Sequence, residues 1–289
     1  MIFISLNYRL GALGFLSGPS SSVTPNTGLL DQLAALAWVK THIPSFGGSR
    51  EDISVMGESA GGGAILAHIA AMASRGETPP FAKAIIQSPA MMPLPGLDLS
   101  EMKELESYKE FLKELGVEGK GIDGAREANT QDVIRANQEI IRRAKGINYV
   151  FTPVVDGETV VSTMGDAFKA GGVAGKKSRV KIMLGHGARE GAVFFDPRVK
   201  TEEDFAQWLK WSIGSTGLSE GQVKELMTEI YPPVFDGSYG YTGQGSRQMA
   251  LWGEGVLDCN YLWAAEAMGG DVYACEFFFC FPFHTPADN

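Results

Sequence analysis

The sequence is poor in cysteine, histidine and positive charge, and it contains no long uninterrupted apolar run. Its cysteines are odd in number and lack the companion pair or histidine of a metal site, so we predict buried free thiols at Cys259, Cys275 and Cys280. The net charge of -9 argues against a nucleic-acid partner, because phosphates would be repelled. No apolar stretch is long enough to span a bilayer, and the short Phe-Phe-Phe-Cys-Phe run at 277–281 predicts a buried strand instead.

The composition is that of a globular chain. Its 289 residues are 44% hydrophobic, which is enough for a large core and favours one α/β domain with insertions. Residues 2–6 are apolar and predict a β-strand. The chain begins without a basic segment and cleavage site, but this start resembles the middle of a domain, so the cellular location stays open.

The stretch around Ser59 carries the strongest chemical signal. Residues 53–56 predict a buried strand and the small residues 60–73 a helix, with Gly57-Glu-Ser59-Ala-Gly61 between them. A serine at so sharp a turn must adopt strained backbone angles, which lifts its hydroxyl out of the sheet. We therefore predict Ser59 as a catalytic nucleophile and the Ala60 backbone N–H as an oxyanion donor. The alternative is a chance Gly-x-Ser-x-Gly in a chain with 36 glycines.

We call the turn at residues 57–61 the elbow. Further motifs surround this elbow in a fixed order. They occupy residues 7–16, 25–40 and 43–48, and together with residues 57–61 they closely resemble the type-B carboxylesterase and cholinesterase family of α/β-hydrolases. Departures are small: His42 and Ser49 stand where the family usually has asparagine and aspartate.

The resemblance implies an α/β-hydrolase fold, with a mostly parallel sheet, helices on both faces and helical insertions. It implies a single partial domain over residues 1–289, with a helical insertion at about 97–147 and a helical region at about 201–268. It also implies hydrolysis of a small-molecule ester through a serine acyl-enzyme, without a metal or an organic cofactor. The ester and the oligomeric state stay open.

Local patterns agree with a parallel sheet. A strand predicted at 81–88 follows the elbow helix, and strand–helix–strand at this spacing is a βαβ crossover. Further strands are predicted at 179–184 and 272–279, and helices at 31–39, 100–115, 129–143, 205–211, 220–231 and 249–268.

The segment after residue 184 suits the acid of a catalytic triad, because a carboxylate at the end of a sheet strand and flanked by glycines can orient a histidine. The family pattern here is Gly-x-Asn-x-Asp-Glu-Gly, which places the acid on Glu190, with Gly187 and Arg189 replacing the asparagine and the aspartate. The alternative is a surface ion pair of Arg189 with Glu190. The resemblance also places an aspartate at Asp258, to which we assign either packing or support of the residues that form the site.

The base of the triad has two candidates. The order Ser, acid, His in this fold makes His42, His68 and His186 bystanders, with His186 predicted to be a loop residue. His284 follows the last strand, but its surroundings depart from the family pattern, so the base is either His284 or a histidine beyond Asn289.

The sequence also contains no His-Gly-Gly loop, which supplies the other oxyanion donors in such enzymes. We therefore expect the middle of a longer esterase, weakly active or inactive by itself. Two alternatives stay open, a non-catalytic interaction or adhesion protein on the same fold and a truncated remnant. The presence of both Ser59 and Glu190 favours the enzyme, since a binding module needs neither.

Overall fold

A computed structural model describes residues 1–18, 23–91, 106–144, 149–169, 180–213, 218–268 and 272–278. Its centre is a four-stranded parallel sheet in the order β1-β2-β3-β4. The strands are β1 (Ser54–Glu58), β2 (Lys83–Gln87), β3 (Lys181–Gly187) and β4 (Val272–Phe277). The predicted parallel sheet is therefore confirmed, and all four strands end at the same edge.

Among the described residues, two α-helices precede the first strand, and the others lie in the connections between the strands. The α-helices are α1 (Gly11–Phe15), α2 (Thr27–His42), α3 (Ala60–Ser74), α4 (Glu106–Leu115), α5 (Gly121–Glu127), α6 (Thr130–Arg143), α7 (Met164–Phe168), α8 (Glu202–Ile213), α9 (Glu220–Glu225), α10 (Gln244–Gly253) and α11 (Cys259–Met268). Short 3-10 turns lie at Ile43–Phe46, Glu118–Lys120 and Glu190–Val193, and π-helical turns at Leu226–Ile230 and Glu254–Asp258. Every predicted helix has a counterpart among these, although the division of the chain into insertion and core stays a prediction.

The core lies between the sheet and the helices on one of its faces. Alternate strand residues such as Ile86 and Leu184 point toward α3, α7 and α11 and are fully buried there. The helix α3 is rich in alanine and glycine, so its backbone can approach β1 and β2 closely. A Cβ on Gly62 would lie 3.0 Å from the backbone oxygen of Gln87.

The opposite face of the sheet is open to solvent at its centre. The row Met56, Ile85, Met183 and Tyr273 crosses all four strands in register. Met56 is 64% and Tyr273 77% exposed. The prediction that β1 is a buried strand is therefore wrong for this face. The prediction for 277–281 also fails at Phe277, which is exposed, and its last three residues lie outside the described part.

Residues 2–6 do not form the predicted strand. They are exposed, and within the described residues no strand pairs with them. An apolar pattern can specify which residues avoid water, but a β-strand also needs a neighbour for its backbone N–H and C=O groups.

Two smaller apolar clusters lie outside the sheet. One packs α4 against α6 around Phe111 and Ile140. The other joins α8 to α10 around Trp208 and Trp252 and encloses the fully buried Arg247. Arg247 forms an ion pair with Glu202 at 2.6 Å.

The described residues contain no helix long and apolar enough to cross a membrane. The same part of the chain holds no cluster of three or more potential metal ligands among its His, Cys, Asp and Glu residues. The prediction of buried thiols is wrong for Cys275, which is exposed on the edge strand β4, while Cys259 is half-buried. Cys280 lies outside the described residues.

Candidate active site

Ser59 occupies the turn between β1 and α3. Its backbone angles are φ 55° and ψ -121°, which residues other than glycine rarely adopt. Three backbone hydrogen bonds hold this conformation, one of them from the Ala90 N–H to the Ser59 carbonyl at 3.0 Å. The Ser59 N–H donates to the Gln87 carbonyl at 2.9 Å, and the Ser59 carbonyl accepts from the Gly63 N–H at 3.0 Å. Ala60 is the first helical residue, so its N–H is one of the N–H groups of the first turn that have no partner within the helix.

The glycines on either side of Ser59 are not equivalent. A Cβ on Gly57 would lie 2.5 Å from the backbone carbonyl atoms of Gly61, so the strand and the helix can pass each other only if residue 57 is glycine. A Cβ on Gly61 would meet no atom within 4 Å in the described structure. Steric necessity therefore applies to the first glycine of the pattern.

Glu190 begins the 3-10 turn that follows β3. Its Oε1 accepts two hydrogen bonds, one at 2.6 Å from the Ser88 hydroxyl and one from the Gly187 N–H. Ser88 immediately follows β2, and its N–H donates to the Gly185 carbonyl at 2.7 Å. The carboxylate is thus fixed at the carboxyl edge of the sheet through one of its two oxygens.

Arg189 does not compete for this carboxylate. Its side chain is exposed, and no ion pair between Arg189 and Glu190 forms in the described structure. The surface-pair alternative for Glu190 therefore finds no support in the geometry.

His186 belongs to β3, so its prediction as a loop residue is wrong. Pairing with Glu276 of β4 extends the strand to Gly187. The His186 Nδ1 lies 3.2 Å from Asp258 Oδ1, and the imidazole packs on the Tyr261 ring at 4.1 Å between centroids. Burial raises the pKa of Asp258 above its ordinary value, and the neighbouring Glu190 carboxylate raises it further, while His186 acts in the opposite direction.

His68 lies on α3 and is buried away from the turn at Ser59. Its Nε2 lies 2.8 Å from the Gln32 side-chain oxygen of α2, and its Nδ1 has no hydrogen-bond partner among the described residues. Burial lowers the pKa of His68 to about 4. The neutral ring therefore donates through Nε2–H, in keeping with a packing role.

The structure places neither of the other two histidines as the base of the triad. His42 ends α2, is exposed and packs on Trp38 at 4.7 Å between ring centroids. His284, the candidate base in this sequence, lies outside the described residues.

Sequence reasoning missed Ser88. The available signal was its position at the end of the parallel strand predicted at 81–88, at the edge where the site was expected. Nothing in the local sequence indicated that its hydroxyl would reach a carboxylate 102 residues further along the chain.

The fold is that of an α/β-hydrolase esterase. The solved structure of a PNB esterase superimposes on this chain with a TM-score of 0.68 and 26% sequence identity. The match covers 93% of this chain and 53% of the esterase chain. The structure of Aspergillus niger EstA gives a TM-score of 0.74 over 93% of this chain and 52% of its own, at 24% identity.

The chain matches the carboxylesterase family over residues 1–280 and belongs to that family. It is 35% identical to the carboxylesterase patB of Aspergillus clavatus over 281 residues, which are 96% of this chain and 48% of the relative. It is 30% identical to the para-nitrobenzyl esterase of Bacillus subtilis over 238 residues, 80% of this chain and 45% of the relative. The chain therefore spans about half the length of these relatives, and the predicted family and fold are confirmed.

Proposed function

We propose that this chain carries the nucleophile and the acid of a serine carboxylesterase that acts on small-molecule esters. Ser59 attacks the ester carbonyl, a histidine takes the serine proton, and Glu190 orients that histidine. The Ala60 N–H stabilises the oxyanion, and water then hydrolyses the acyl-enzyme. The reaction needs neither a metal nor an organic cofactor.

The observation that carries this proposal is the backbone of Ser59. A non-glycine residue at φ 55° costs free energy, and strain of this kind persists where it serves a function. Here it presents the hydroxyl at the start of a helix and at the same sheet edge as Glu190. Membership in the carboxylesterase family and the names of the relatives favour the same chemistry.

We further propose that the 289-residue chain turns over esters slowly or not at all. The His68 ring is hydrogen-bonded to Gln32, and the His186 ring to Asp258. The candidate base in this sequence is therefore His284. The chain also contains no His-Gly-Gly run to supply additional oxyanion donors. Each missing donor costs about 10²–10³ in rate.

A fluorophosphonate probe tests the nucleophile without requiring complete turnover. We expect labelling of the purified chain at Ser59, located by peptide mass spectrometry, and its loss in Ser59→Ala. Ser54→Ala is the matched control, because Ser54 is an exposed serine at the start of the same strand. Its labelling should equal that of the unchanged chain.

Two results would contradict the proposal. Absence of labelling at Ser59 would favour a non-catalytic protein on this fold over an esterase. Efficient hydrolysis of p-nitrophenyl acetate by the 289-residue chain, abolished by Ser59→Ala, would instead support the esterase and overturn the proposal of low turnover.

A further inference from the structure

The turn that carries Glu190 is packed against a second carboxylate. We call residues 187–193 the acid turn. The π-helical turn at Glu254–Asp258 approaches it so closely that a Cβ on Gly253 would lie 3.0 Å from the Gly191 nitrogen and 3.9 Å from Asp258 Oδ2. Asp258 is thus a neighbour of the triad acid itself.

His186 is the partner of this second carboxylate. Its Nδ1–H donates to Asp258 Oδ1 at 3.2 Å, and the ring is held by Tyr261 of α11. His186 directly precedes Gly187, whose N–H holds Glu190. One short piece of chain therefore binds both carboxylates, through a side chain in one case and through the backbone in the other.

Apart from Arg189 of the acid turn, whose side chain is exposed, the other titratable groups around this pair are acidic or neutral. Glu254 lies on the same π-helical turn as Asp258, and the thiol of Cys259 follows it. On β4, Glu276 is the register partner of His186, and Cys275 precedes it. Besides the exposed Arg189, the His186 imidazole is the one group named here that can carry a positive charge.

We propose that His186 is a positioning residue for the acid turn: by binding Asp258, it keeps this carboxylate from competing with Glu190 for the catalytic histidine and for a shared proton. This inference rests on the proposed function of Glu190. Without His186, the Asp258 carboxylate would lose its partner beside the acid turn, and it would hold a proton up to higher pH because the neighbouring Glu190 charge disfavours its ionisation. A pair of carboxylates that holds one proton carries one negative charge fewer, so it stabilises an imidazolium ion less strongly than two ionised carboxylates do.

The first test follows the titration of Asp258 itself, by carboxyl carbon NMR on the complete chain. We expect Glu190→Gln to lower the pKa of Asp258, because it removes a like charge, and His186→Gln to raise it, because it removes the partner. Each shift should be about one pH unit. An unchanged titration of Asp258 in Glu190→Gln would overturn the proposal, whether or not the chain hydrolyses esters.

The second test follows the rate of fluorophosphonate labelling at Ser59 against pH. We expect His186→Gln to move the acid limb upward by about one pH unit and the double change His186→Gln with Asp258→Asn to restore it. His42→Gln, at an exposed helix end, is the matched control and should leave the profile unchanged.

A double variant as impaired as the single one would show that His186 acts only as a structural tether, which contradicts the proposal. Complete absence of Ser59 labelling in the unchanged chain would count against the proposed function instead, while the titration of Asp258 would still decide the role of His186.

Discussion

The Ser88 hydroxyl donates a hydrogen bond of 2.6 Å to Glu190 Oε1, although the two residues are 102 positions apart. Each follows the end of one of two neighbouring parallel strands. Ser88 makes this contact from a left-handed backbone conformation with φ 44°. The Gly187 N–H donates to the same oxygen, so Oε2 has no hydrogen-bond partner among the described residues, and we propose that it accepts from the catalytic histidine.

Loss of the Ser88 hydroxyl should leave the Glu190 carboxylate less firmly held. We expect Ser88→Ala to slow labelling of Ser59 by about tenfold, because a hydrogen bond to a charged group contributes about 1.5–3 kcal/mol. Ser88→Gly is the informative comparison, since glycine adopts φ 44° without strain. Equal losses in both variants would assign the effect to the hydroxyl, and full activity of the glycine variant would refute that assignment.

The two glycines of the elbow should respond in opposite ways to alanine. In Gly57→Ala the new Cβ collides with the Gly61 backbone, so we expect lower thermal stability and loss of Ser59 labelling. In Gly61→Ala the Cβ meets no atom within 4 Å, and alanine is the better helix former. Its melting temperature should be unchanged or higher. Similar melting temperatures in the two variants would contradict this steric account.

His68 should make the folded state sensitive to acid. Its pKa is lowered by burial from 6.5 to about 4. The unfolded chain therefore binds more protons between these values, and stability is present in full above pH 6.5 and lost as the pH falls toward 4. This loss amounts to about 3 kcal/mol.

Urea denaturation at pH 7 and pH 4.5 checks this prediction. We expect a smaller loss of stability in His68→Gln, whose amide can still bind Gln32, than in the unchanged chain. The control His42→Gln, at an exposed site, should lose as much stability as the unchanged chain. If His68→Gln loses as much as well, other groups dominate acid unfolding.

Two arginines provide a contrast between buried and exposed ion pairs. Arg247 is fully buried, pairs with Glu202, donates to the carbonyls of Tyr231 and Met227, and lies over the Phe205 ring at 3.9 Å. We expect Arg247→Met to lower the free energy of unfolding by about 3 kcal/mol, because it leaves buried acceptors unpaired. Arg198, 85% exposed beside Asp196, is the control.

Arg198→Met should leave the free energy of unfolding unchanged, as for most exposed pairs. Chemical denaturation measures both variants. Equal effects of the two substitutions would mean that burial does not set the contribution of these pairs.

The sequence specified the elbow well because its signal is local. A strand, a serine between small residues and a helix occupy 21 consecutive positions, and the structure reproduces the turn with Ser59 at φ 55°. The strand at 2–6 failed for the opposite reason, because pairing depends on a neighbour that a local pattern does not reveal. The local pattern predicts a loop at His186 because this residue joins the strand only by pairing with β4, which lies far along the chain.

Ser88 could not be assigned for the same reason. Its role depends on the register between β2 and β3, which aligns Gln87 with Gly185 and so brings the next residues of both strands to one edge. Patterns within either segment do not encode this alignment. The exposed row from Met56 to Tyr273 also escaped prediction, because an apolar strand residue does not indicate whether its face of the sheet is covered.

The all-parallel sheet has a consequence for the order of folding. Parallel neighbours cannot be joined by a tight hairpin, so every strand pair here closes a long loop, and such contacts form slowly. The elbow needs only β1, α3 and β2, whereas Glu190 reaches Ser88 only after β3 has docked. We therefore expect the turn at Ser59 to form earlier in folding than the contact between Glu190 and Ser88.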